Sequence, residues 1–124
     1  MEKMRVIKFR GKNTGSGQWI HGAYIPPDYT FWREPSIANL NHRYVIAPES
    51  LGQFTGLFDS EGKEIYEGDI VKRTLHPELC GQVIFGSSGW VVESGSNEYE
   101  IVYFGSVKVI GNVFDNPELL EVKK

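Results

Sequence analysis

Residues 81–93 read Gly81-Gln82-Val83-Ile84-Phe85-Gly86-Ser87-Ser88-Gly89-Trp90-Val91-Val92-Glu93. Two short runs rich in β-branched and aromatic residues flank a Gly-Ser-Ser-Gly turn, which is the pattern of a β-hairpin. The pattern continues on both sides. Gly68-Asp69-Ile70-Val71-Lys72 opens a strand before it. Gly95-Ser96-Asn97 turns the chain into a further strand over 98–104, and Val107-Lys108-Val109-Ile110 closes the set. Five short strands joined by glycine turns predict a mainly β protein whose C-terminal half is a small antiparallel barrel of the SH3-like kind, a closure that removes exposed edges.

The N-terminal half is expected to be a β extension over 1–56, packed on a barrel that occupies 57–124, the two forming one compact unit. Arg5-Val6-Ile7-Lys8-Phe9-Arg10 alternates apolar and basic residues with the period of a half-buried strand. A turn-rich break over 11–17 leads to a second strand at 18–25, so the two form a hairpin. Pro26-Pro27-Asp28 stops it. Residues 29–43 lack clear periodicity and read as an irregular connection, followed by a short strand at 44–46. Near the end, Asn116-Pro117-Glu118-Leu119-Leu120 reads as a short helical turn, with Asn116 as its cap and Pro117 at its first position.

The chain has 124 residues, with 40% hydrophobic and 23% charged, the balance of an ordinary globular domain. One cysteine, Cys80, leaves no partner for an internal disulfide and suits a reducing compartment. The N-terminus lacks the apolar run of a signal peptide, and the expected location is the cytoplasm. The net charge of −3 is uneven: residues 1–50 hold seven Lys/Arg against four Asp/Glu, and residues 51–124 hold six against twelve. The basic residues gather at Lys3, Arg5, Lys8, Arg10 and Lys12. They read as the solvated side of a strand, or as one half of a charge-complementary contact between subunits.

Motifs of catalysis are missing. Gly56 and Gly62-Lys63 depart from a phosphate loop by one residue of spacing, and Glu64 stands where Ser or Thr is required. His76, Glu78 and Cys80 approach a metal-ligand cluster, but a structural zinc needs four ligands and His21 and His42 show no matching pair. The expectation is no enzyme, no metal and no cofactor. The aromatic segment is the candidate binding surface: Trp19, Tyr24, Tyr29, Phe31 and Trp32, with Arg33 beside them. Core packing, a protein or self interface, and single-stranded nucleic acid are its three readings, in that order.

Three segments together resemble the YopX family. They are residues 5–22, with Gly17-Gln18-Trp19-Ile20-His21-Gly22; residues 48–71, through Gly62-Lys63-Glu64-Ile65-Tyr66-Glu67-Gly68-Asp69-Ile70-Val71; and Val109-Ile110-Gly111-Asn112-Val113-Phe114-Asp115-Asn116-Pro117-Glu118-Leu119-Leu120. The resemblance implies a mostly β fold with an SH3-like barrel at the C-terminal end, and an origin in a bacteriophage or prophage. It carries no catalytic residues or cofactor. Its motif residues Gly56, Gly62, Tyr66, Gly68, Asp69, Asn116 and Pro117 read as structural, with partner binding as the other reading of Asp69. The function implied is a non-catalytic phage accessory protein that binds itself, or a phage or host protein. A nucleic-acid-binding module is the alternative.

Overall fold

The computed structural model of the protein describes residues 6–28, 33–40, 42–75, 79–86, 88–101 and 106–120. The chain is mainly β and folds as two compact units, Met1–Gly56 and Leu57–Lys124.

In the first unit, β1 (Phe9–Lys12) and β2 (Trp19–Ile25) form the expected hairpin, with Lys12 opposite Trp19 and Phe9 opposite Gly22. β3 (Ser36–Asn39) and β4 (His42–Val45) form a second one, and β5 (Gly52–Phe58) begins beside β1. The strand order is β4-β3-β2-β1-β5. The β3–β4 hairpin replaces the irregular connection expected there. Its strands are four residues each, and its turn begins at Leu40, which adopts φ 48° and is 99% exposed. An apolar residue stands where glycine or asparagine ordinarily marks such a turn. Ile37 and Ile46 are fully buried, and Gly11 lies so close to Ile46 that an added methyl carbon would sit 2.5 Å from Cδ1.

β5 runs on past Gly56 into the second unit, where a tight turn leads to β6 (Glu64–Tyr66). The remaining strands, β7 (Asp69–Arg73), β8 (Cys80–Gly86), β9 (Gly89–Ser94), β10 (Asn97–Glu100) and β11 (Val107–Asn112), form an antiparallel sheet ordered β10-β9-β8-β7-β11. This sheet is open, and the expected closed barrel is not formed. The strand expected over 98–104 is present over Asn97–Glu100, and 102–105 lie outside the described residues. The outer edge of β11 is taken instead by the β5–β6 turn, whose Ser60 N–H donates to the Val107 carbonyl at 2.8 Å.

One face of this sheet carries Val71, Val83, Val92, Val107 and Val109, packed with Ile65 and Ile101. Ile70 and Val91, one residue out of phase, are buried on the reverse face. The C-terminal segment forms a 3₁₀ turn over Pro117–Leu120, in the place the sequence indicates. No helix among the described residues is long and apolar enough to cross a membrane.

Candidate binding surface

The β1–β2 turn decides which side chains meet. Asn13 Oδ1 accepts from the N–H groups of Gly15 at 2.8 Å and Ser16 at 2.7 Å, and the Asn13 carbonyl accepts from Gly17 at 2.9 Å. This closed loop fixes the register, and a slip by one residue would move every side chain to the other face. Lys8, Arg10 and Lys12 therefore share a face with Trp19. The Arg10 guanidinium lies 4.8 Å from the Trp19 ring centroid and the Lys12 ammonium 5.5 Å. The Lys8 ammonium lies 5.0 Å from the Phe54 ring, its backbone carbonyl held by the Phe54 N–H at 2.8 Å. Each cation–ring contact contributes roughly 0.5–1 kcal/mol, more where water is excluded, and Arg10 is only 9% exposed.

The residues singled out in the sequence are not one surface. Trp19 joins the basic face. Tyr24, five positions on and so of opposite parity, packs on the other face against Phe9, with ring centroids 5.7 Å apart. Arg33 is exposed. Tyr29, Phe31 and Trp32 lie outside the described residues. The stacking of Arg10 and Lys12 on Trp19 was legible only as alternation of basic residues in β1, since the pairing also needs the register.

The family-motif residues other than Gly56 occupy turns and buried joints of the second unit. The β5–β6 connection runs Asp59-Ser60-Glu61-Gly62-Lys63. Gly62 N–H donates to the Asp59 carbonyl at 3.0 Å and Asp59 N–H to that of Lys63 at 2.8 Å. With Gly62 at φ 82°, this is a type I turn closed by a left-handed residue, which glycine adopts without steric cost. Gly56 lies within β5, at φ 85°. The Asp59 carboxylate accepts from Glu61 and Lys63 N–H, both at 2.8 Å, and from Val109 N–H at 3.0 Å. Burial is the largest single influence on this carboxyl and opposes its charge. The N–H donors of Val109, Lys63 and Glu61, with the Lys63 charge, outweigh it and hold the carboxyl below its ordinary value.

Between β6 and β7 the chain bends at Gly68, with φ 93°. Its N–H donates to Val83 and its carbonyl accepts from Val113, at 2.8 and 2.9 Å. Asp69 is 1% exposed and accepts from Tyr66 N–H at 2.7 Å. Tyr66 is buried, its hydroxyl on Glu64 at 2.9 Å. Asn116 does not direct its side chain forward as a helix cap. Its Oδ1 accepts backward from Asn112 N–H at 3.2 Å, while Pro117 opens the 3₁₀ turn.

On the reverse face of the second unit, a cleft of about 350 Å³ is lined by Cys80, Gln82, Glu93, Leu119 and Leu120 among others. Among the described residues, no three His, Cys, Asp or Glu side chains are placed to hold a metal ion. His76 and Glu78 lie outside the described residues, and Cys80 is exposed. His42 stacks on Tyr44 at 5.9 Å, and His21 stands opposite Arg10 in the β1–β2 ladder.

The fold has a solved counterpart. The crystal structure of protein EF1440 from Enterococcus faecalis superposes with a TM-score of 0.58 at 22% sequence identity, covering 94% of this chain and 99% of that one. No curated protein matches the sequence. The model of the YopX protein family matches residues 8–121, nearly the whole chain, and the protein belongs to that family.

Proposed function

We propose that the protein is a non-catalytic accessory protein of a phage or prophage, acting in the host cytoplasm by binding another protein. The observation that supports this most is the state of the aromatic rings on the basic face. Arg10 and Lys12 already lie over the Trp19 ring, and Lys8 over that of Phe54. A nucleic-acid platform needs open ring faces on which bases stack. Here a base would compete with the protein's own cations for the ring faces they cover. A mixed surface of arginine, lysine and tryptophan instead has the composition of interface hot spots, and its charge suits an acidic protein surface.

The buried carboxylates support the same reading from another side. Asp59 and Asp69 are committed to backbone N–H groups that shape turns, which accounts for both without a reaction. The test is affinity capture from phage-carrying cells with the wild-type protein and with Lys12→Glu, a half-exposed position. A protein retained by the wild type and lost with Lys12→Glu supports the reading. Binding of a single-stranded oligonucleotide, weakening steeply with salt and abolished by the same substitution, would replace it with the nucleic-acid alternative.

A further inference from the structure

We propose that the Asp59–Lys63 turn is a strap that guards the outer edge of β11, and that removing it lets β11 pair with β11 of a second copy. Pairing of Lys72 with Lys108 leaves the backbone groups of Val107 and Val109 pointing away from β7. The strap meets them there: Ser60 N–H donates to the Val107 carbonyl at 2.8 Å, and Asp59 Oδ2 accepts from Val109 N–H at 3.0 Å. Glu61 adds a third tie, 3.6 Å from Lys108.

The two edges of this sheet differ in how they are protected. β10 carries Glu98 and Glu100, both exposed, and charge discourages pairing there. β11 opens with Val107-Lys108-Val109-Ile110, an apolar run with one charge, and relies on the strap. An open cleft of about 250 Å³ adjoins the strap, lined by Asp59, Ser60, Ile65 and Val107 among others. An antiparallel β11–β11 pair centred on Lys108 sets Val107 of one copy opposite Val109 of the other. These valines then exchange the hydrogen bonds that the strap now makes. Such a contact is self-complementary and closes as a two-fold pair. The two Lys108 residues oppose each other in it, so it strengthens as salt screens them.

Amide exchange and light scattering on three proteins test this: the wild type, Asp59→Asn and Ser60→Pro. Proline suits the second position of this turn but deletes the bond to Val107, so Ser60→Pro opens the strap without touching the buried carboxylate. Expected are exchange at Val109 faster by about tenfold or more in dilute, unpaired Asp59→Asn, with Val83 and Val92 unchanged, and a mass in both variants that climbs with concentration toward twice that of the wild type, and climbs sooner as salt is added. Variants that keep the wild-type mass overturn the proposal. So does faster exchange at Val109 only in step with Val83 and Val92, which is unfolding of the whole unit.

Discussion

The carboxylate of Asp59 accepts the backbone N–H of Val109 at 3.0 Å across 50 positions of sequence. A turn residue thereby satisfies a donor on the last strand of a sheet in which its own strand takes no part. The same carboxylate organises its local turn through Glu61 and Lys63. One side chain thus shapes the β5–β6 hairpin and positions β11 beside it.

Asp59→Ala is expected to destabilise the protein by about 2–4 kcal/mol, since three N–H donors lose a charged acceptor and at least one of them is buried. Urea unfolding at neutral pH measures this. A loss below about 0.5 kcal/mol would show that water replaces the carboxylate at all three donors.

The same carboxyl makes stability depend on pH. Its folded value lies below that of the unfolded chain, so the stabilisation is complete above the ordinary carboxylate range near pH ~4 and is lost as pH falls through the folded value. Urea midpoints of the wild type and Asp59→Asn, measured from neutral to acid pH, are therefore expected to converge as the pH drops. Parallel curves would assign the acid sensitivity to other groups.

Much of this region was legible in the sequence and some of it was not. Asp59-Ser60-Glu61-Gly62 states its turn openly, because aspartate at the first position and glycine at the fourth are what a type I turn favours. The contact to Val109 is invisible there, since nothing local marks a pairing across 50 residues. Missing it also produced the false barrel: alternating valines in β7, β8, β9 and β11 specify strands and a buried face, yet whether the sheet closes depends on what covers its edges. The binding surface failed in a similar way. Clustering of Trp19 and Tyr24 in sequence suggested one aromatic patch, but their spacing of five in a strand places them on opposite faces. Leu40 hid the β3–β4 hairpin because its turn uses a residue that does not announce one.

Close approach of side chains of the C-terminal turn to the β11 backbone gives a further prediction. A methyl group on Gly111 would sit 2.7 Å from Asn116 Oδ1 and 2.8 Å from Leu119 Cδ1. Gly111→Ala is therefore expected to push the 3₁₀ turn off the sheet and cost about 1–3 kcal/mol. Amide exchange at Leu119, whose N–H donates to the Asn116 carbonyl at 3.1 Å, is the local readout and should accelerate. An unchanged rate would show that the turn yields without losing its hydrogen bond.

The basic face supplies the last prediction, through double-mutant cycles on stability. Arg10 lies nearer the Trp19 ring than Lys12 does, 4.8 Å against 5.5 Å, and is the more buried of the two. Desolvation strengthens a cation–ring contact, and guanidinium also stacks where ammonium cannot. Cycles pairing Arg10→Met and Lys12→Met with Trp19→Leu, which keep the apolar stems, should give coupling of about 1 kcal/mol for Arg10 and about 0.5 kcal/mol or less for Lys12. Raised salt should reduce the Lys12 coupling first, because that contact is the more exposed. Equal couplings, or a larger one for Lys12, would show that burial and guanidinium stacking add nothing at Arg10.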